Sequence, residues 1–210
     1  MRDAIGTPLP ADFYARSSRE VAPDLLGMLV RSTLGGAVTV GRIVETEAYI
    51  GPEDPASHAA ERIGRTARNA TMFGPPGTAY VYLSYGMHWC LNAVTARVGH
   101  PCAVLIRALE PVSGLDTMRA RRGTPDRDLA RGPGRLTQAL GITGALDGHA
   151  LHTPPLTIEE GPPIDAASIE AGPRVGISRA ADWPLRFTVR GSPWVSPGPR
   201  VGRAGGRSGR

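Results

Sequence analysis

The chain has 210 residues, 41% hydrophobic and 20% charged, which suits one domain with a sizeable core. No apolar run reaches the ~18 residues of a membrane-spanning helix. The opening "MRDAIGTPLPADFYARSS" has an early acid, two prolines and no apolar stretch, so a secretory signal is not expected. The net charge is +5 and all 24 basic residues are arginine, so no lysine is available for Schiff-base chemistry. Four of those arginines fall in residues 197–210, which hold no acid, leaving the rest near +1 (5 minus 4). A basic total by itself therefore says little about nucleic acid. With Ala, Gly, Pro and Arg all abundant, the composition fits a GC-rich bacterial genome.

In chain order, "PLPADFYARSSREVAPDLLGMLVRS" predicts a proline-capped helix or two. Ser17 or Ser18 caps the second, and Val21, Leu25, Leu26 and Leu29 give it a helical spacing. "GGAVTVGRIVETEAYI" predicts strands broken by glycine. "GPEDPASHAAERIGRTARNATMFGPPG" is turn-rich with one short helical piece. "TAYVYLSYGMHWCLNAVTA" is the strongest strand signal and is interrupted at Gly86. "HPCAVLIRALEPV" is a further apolar strand. "GLDTMRARRG" and "DRDLARGPGRLTQALGI" predict helices, the second interrupted by Gly-Pro-Gly. "GHALHTPPLTIEEG", "RVGIS" and "PLRFTVRGSPWVS" predict closing strands. Strands first and helices later, without βαβ alternation, predict an α+β fold on an antiparallel sheet. The expected division is a flexible lead (1–10), one domain (11–196) and a disordered basic tail (197–210). Cys90 and Cys102 lie in apolar settings and are expected as buried free thiols. A disulfide or metal pair stays open, although no CxxC spacing exists.

Two features carry possible chemistry. Glu45 and Glu47 stand one residue apart in a predicted strand and so share one face, where their charges need water, a metal or hydrogen-bond donors. Glu47 can be a general base toward water, or half of a salt bridge to Arg42 or Arg107. A metal site from Glu45, Glu47 and His58 lacks any tight ligand spacing, and no metal is expected. Tyr80, Tyr82 and Tyr85 fall within six residues, with Tyr49 in the neighbouring strand. They are either core packing or a stacking platform for a planar ligand such as a base.

The segments "VETEAYIGPEDPASH", "RNATMFGPPGTAYVYLSYGMHWCLN", "AVLIRALEP", "GPGRLTQALGI" and "LRFTVRGSPWVS" together resemble the alkyladenine (3-methyladenine) DNA glycosylases of the mammalian type. The likeness covers most of residues 15–196, in order. It implies a curved, mainly antiparallel sheet surrounded by helices, with a protruding β-hairpin. By the same resemblance Glu47 is the base that activates water, Arg107 lies near that water, and the main-chain carbonyl of Val175 is a further water ligand. Tyr49, His58 and Tyr82 hold the flipped base, Asn92 disfavours guanine, and Tyr85 enters the minor groove. The implied partner is double-stranded DNA bearing alkylated or deaminated purines, with no cofactor and no membrane. A bacterial cytoplasmic monomer associated with the nucleoid is expected. Without lysine, a monofunctional enzyme that leaves an abasic site is the consistent form. The segments 59–67, 95–101 and 144–164 resemble the family only loosely. The alternatives are a non-catalytic binder of damaged DNA using the same pocket, and an RNA-binding or small-ligand enzyme on the same fold.

Overall fold

The computed structural model describes residues 6–198. The expectations for residues 1–5 and 199–210 lie outside the described residues.

Helices α1 (Ala11–Tyr14) and α2 (Ser18–Asp24) open the chain. Ser17 is the cap of α2: Glu20 reaches back to its main-chain N–H and hydroxyl at 3.2 and 2.7 Å, a reciprocal box that satisfies free donors of the first turn. Ser18 instead donates to the Tyr49 carbonyl at 3.1 Å. The helical spacing ends before Leu29, contrary to expectation. Gly27 takes φ +89°, and a Cβ there would sit 2.6 Å from the Pro162 carbonyl. Beyond it the chain enters strand β1 (Leu29–Ser32).

Strand β2 (Thr39–Tyr49) is the spine of the sheet. One edge pairs with β5 (Cys102–Ser113). The other pairs first with β1, over 39–42, and then with β9 (Arg186–Val189), over 45–47. Strands β3 (Ala79–Ser84) and β4 (His88–Thr95) form the hairpin expected around Gly86 and extend the sheet beyond β5. Strands β6 (His152–Thr153) and β7 (Leu156–Glu159) close the far side, and β8 (Ile169–Gly172) pairs with β9. Among the described residues nine strands pair antiparallel, in a curled sheet ordered β3-β4-β5-β2-β1-β7-β6 with β9 and β8 off β2. With α3 (Leu115–Arg122) and α4 (Pro133–Leu140), this is a single α+β domain.

The β2–β5 ladder is not regular. Ile43 faces Leu109, Glu45 faces Ala108 and Thr46 faces Ile106, so Val44 and Arg107 are each left without an opposite residue. An extra residue reverses the in–out alternation of its strand. On β2 the core residue before the break is Ile43, and after it Ala48; on β5 the core residues are Val104 and Ile106 before and Leu109 after. The reversal lifts Glu45, Glu47 and Tyr49 off the core face. On that core face lie Ala79, Val81, Leu91, Ala93, Val104, Ile106 and Ala48, packed with residues of α2 and α4. Thr46 donates to the Ala22 carbonyl at 2.8 Å and so fixes α2 against β2.

Two further expectations are corrected. "RVGIS" is not a strand but an irregular loop, broken by Gly176 at φ +78°. Residues 6–9, expected in a flexible lead, are tied to the sheet: Gly6 N–H donates to Glu159, Leu9 N–H to the Ile158 carbonyl, and Leu9 is buried.

Candidate active site

Opposite the core, alternate residues of four strands line a cleft of about 570 Å³. Strand β3 gives Tyr80, Tyr82 and Ser84; β4 gives Cys90 and Asn92; β5 gives Ala103, Leu105 and Arg107; β2 gives Tyr49. The period of two on a pleated strand puts them on one side. The loops 55–58 and 175–179 complete the walls.

Glu47 lies fully buried behind Tyr49, Arg107 and Val175, three residues that line the cleft. Its carboxylate accepts from the Val175 N–H at 2.7 Å and the Tyr49 hydroxyl at 3.1 Å, and pairs with an Arg107 nitrogen at 3.3 Å. Burial pushes its pKa above the ordinary carboxylate value, opposed first by Arg107 and then by the Val175 N–H; the charge of Glu45 adds to the rise. The result is a desolvated carboxylate more basic than a surface one, with three donors that favour its ionised form.

Glu45 is also fully buried, and four donors converge on it. These are Arg107 Nε at 3.1 Å, Arg186 Nε at 2.7 Å, and the N–H and hydroxyl of Ser196 at 2.7 and 2.9 Å. Arg107 therefore bridges the two carboxylates. Arg42 does not contribute, since it pairs with Glu110 at 3.2 Å.

His58, Tyr80 and Tyr82 form one continuous wall. The His58 and Tyr82 rings meet edge-on at 4.5 Å, Tyr80 and Tyr82 lie 5.2 Å apart, and His58 Nδ1 is 3.0 Å from the Tyr80 hydroxyl. Burial, then Arg68, lowers the His58 pKa, so the ring is neutral near pH 7. Burial raises the Tyr80 and Tyr82 hydroxyls, which stay protonated. A protonated Tyr80 can donate to Nδ1, with the imidazole proton then on Nε2. Tyr49 stands apart from this wall, with the Arg174 guanidinium 4.7 Å over its ring. Asn92 is buried, its amide donating to the Tyr80 carbonyl at 2.9 Å.

Tyr85 is 85% exposed and Met87 71% exposed at the tip of the β3–β4 hairpin. Tyr85 takes φ +50° and Gly86 φ +70°, so the left-handed tip thrusts the tyrosine outward. The exposed Arg62, Arg68 and Arg179 rim the cleft. Among the described residues, none of the three has a carboxylate within 4.0 Å. Also among the described residues, no group of three His, Cys, Asp or Glu side chains is placed to hold a metal ion, and no helix is long and apolar enough to cross a membrane. Cys90 and Cys102 are buried free thiols.

Tyr49, His58, Tyr82, Tyr85, Asn92, Arg107 and Val175 thus line one cleft, and Glu47 lies buried beneath it, bonded to Tyr49, Arg107 and Val175. Sequence reasoning missed Asp54, Arg174, Arg186 and Ser196. Asp54 sits inside the quoted "GPEDPASH", but nothing in its spacing named a partner 120 residues away. Tyr80 was visible in the tyrosine cluster without a role.

A family model described as methylpurine-DNA glycosylase matches residues 12–193. Several relatives are similar over nearly their whole length, and all are named as 3-methyladenine DNA glycosylases. One from Rhodopseudomonas palustris (strain HaA2) is 52% identical over 195 residues, 92% of each chain. One from Burkholderia lata is 51% identical over 198 residues, 91% of this chain and 92% of the relative. One from Methanoculleus marisnigri is 53% identical over 192 residues, 90% of this chain and 98% of the relative.

Proposed function

The chain belongs to the methylpurine-DNA glycosylase family, and from that premise we propose that it releases alkylated or deaminated purines from duplex DNA by a water that Glu47 activates. Its reaction class, hydrolysis of an N-glycosyl bond in DNA, follows from membership. The finer reading rests chiefly on one observation: a fully buried carboxylate, kept ionisable by three donors, beneath a cleft walled by aromatic rings.

A base stacked in a duplex is out of reach of such a carboxylate, so it must leave the helix. In this reading the exposed Tyr85 fills the gap, and the base enters between Tyr49 and the His58–Tyr82 wall. Electron-rich ring faces attract a purine made cationic by alkylation. Glu47 takes a proton from water as that water attacks the sugar carbon and the C–N bond breaks. The electron pair of that bond leaves with the base. The carboxylate also offsets the positive charge that develops on the sugar. Arg107 keeps Glu47 ionised and oriented, and the Val175 carbonyl is a further ligand for the water. Asn92, pinned through its amide, crowds the exocyclic amine of guanine. With no lysine in the chain, no amine of that type can go on to cleave the strand, and the product is an abasic site.

The test is single-turnover base release from duplexes bearing 3-methyladenine, 7-methylguanine, hypoxanthine or ethenoadenine. Glu47→Gln keeps the shape and removes the basicity. Release should fall by about 10²–10⁴-fold while binding of the damaged duplex persists. Release at the wild-type rate by this variant would remove Glu47 from the reaction. A wild-type protein that binds but releases nothing would make the chain a binder of damaged DNA.

A further inference from the structure

Asp54 and Arg174 form an ion pair in which both side chains are fully buried. Arg174 holds Asp54 with two parallel N–H bonds, at 2.5 and 2.9 Å. One of those nitrogens also donates to the Ala48 carbonyl at 3.0 Å, and the guanidinium plane lies over the Tyr49 ring. Asp54 in turn accepts the N–H groups of Ala56 and Ile50 at 3.0 and 3.4 Å. Three segments thus converge on one pair: the end of β2, the 50–58 loop that carries His58, and the loop whose Val175 N–H reaches Glu47.

A buried ion pair gives little net stability, because desolvation cancels most of the attraction. Among the described residues, Arg174 Nε moreover has no hydrogen-bond partner. What the pair does supply is geometry. A planar, two-pronged guanidinium fixes its partner's orientation in a way an ammonium cannot. The residue after it donates the shortest of the three contacts to Glu47, and the ring beneath it donates another.

Resting on the reading of Glu47 given above, we propose that Asp54 and Arg174 act as the positioning unit of the reaction. They set the Val175 N–H and the Tyr49 hydroxyl on the Glu47 carboxylate and hold the two loops that wall the cleft at the separation a flipped base needs. Neither residue touches the substrate; each acts through others.

Two variants test this. Asp54→Asn with Arg174→Met removes both charges and leaves no orphan buried ion. Arg174→Lys keeps the charge and loses the fork and the stack. Single-turnover release is expected to fall about 10²-fold in both, the scale of a misplaced reacting group, while binding to a duplex with an abasic-site analogue is retained. The acid limb of the pH–rate profile should move to higher pH, since a carboxylate that loses a donated N–H holds its proton more tightly. The groups facing Glu47 are Arg107 from β5, Tyr49 and Glu45 from its own strand, Tyr82 from β3, Cys90 from β4 and the Val175 N–H. The variants leave Arg107, Glu45, Tyr82 and Cys90 in place. Folded variants with wild-type rate and an unmoved acid limb would overturn the proposal, and so would failure of both to fold, which would make the pair a folding element. Glu47→Gln, assayed alongside, keeps the two questions separate: its activity alone decides the role of Glu47.

Discussion

Replacing Glu45 by Gln removes one negative charge from a fully buried position on which Arg107, Arg186 and Ser196 converge. Breaking a buried ion pair from one side costs about 3–5 kcal/mol, because the partner is left charged and dry. Glutamine keeps an acceptor oxygen, and Arg107 keeps Glu47, so the lower end, about 3 kcal/mol, is expected. For a domain of this size that is a drop in Tm of roughly 6–12 °C. The effect on chemistry runs the other way. The Glu45 charge is one of the causes that raise the Glu47 pKa. Removing it lowers that pKa, and in the proposed reaction Glu47 acts as a base only when ionised. The acid limb of the single-turnover rate should therefore move to lower pH, so the variant keeps a larger share of its activity in acid than the wild type does. Urea denaturation and a pH series on one duplex substrate measure both. An acid limb that stays in place or moves up, or a loss of stability under about 1 kcal/mol, would refute the view of Glu45 as counter-ion to the arginine that serves Glu47.

Two other predictions are simpler. Tyr85→Asn suits the left-handed turn better than tyrosine does, so stability should hold within about 0.5 kcal/mol, while gel-shift affinity for an abasic-site analogue falls. Gly27→Ala forces a Cβ to 2.6 Å from the Pro162 carbonyl at φ +89° and should cost more than about 1 kcal/mol, read as a lower urea midpoint with an unchanged m-value.

Strand identities were largely legible in the sequence, because alternating apolar residues and glycine breaks act locally. The β3–β4 hairpin around Gly86 and the apolar β5 follow directly from such patterns. The helical reading of Leu29 failed because one contact, between Gly27 and the Pro162 segment, overrides a spacing that is itself sound. "RVGIS" failed for a similar reason: its residues suit a strand, yet Arg174 is drawn into the interior by Asp54. Glu47, Arg107 and the tyrosines stood out from the residues themselves with alternatives open; the specific roles of the eight candidate site residues came through the resemblance. The shared face of Glu45 and Glu47 could be read from their separation of two. That this face is the cleft and not the core depends on the unmatched residues Val44 and Arg107. Such paired irregularities leave no mark in either strand alone.

Glu45 also draws together parts of the protein that lie far apart along the chain. Arg186, a counter-ion of Glu45, and Ser196, a hydrogen-bond donor to it, lie 141 and 151 residues after that carboxylate. A ribosome delivers Glu45 early and Arg186 and Ser196 late, and contacts so distant in sequence are expected to close late in folding. Until the segment around residue 196 docks, Glu45 has Arg107 and Arg186 but lacks the N–H and hydroxyl of Ser196. A chain lacking that segment lacks two of the four donors on Glu45. With Glu47 acting as proposed, a chain clipped before Ser196 is expected to release base more slowly than the full chain, measured under single-turnover conditions.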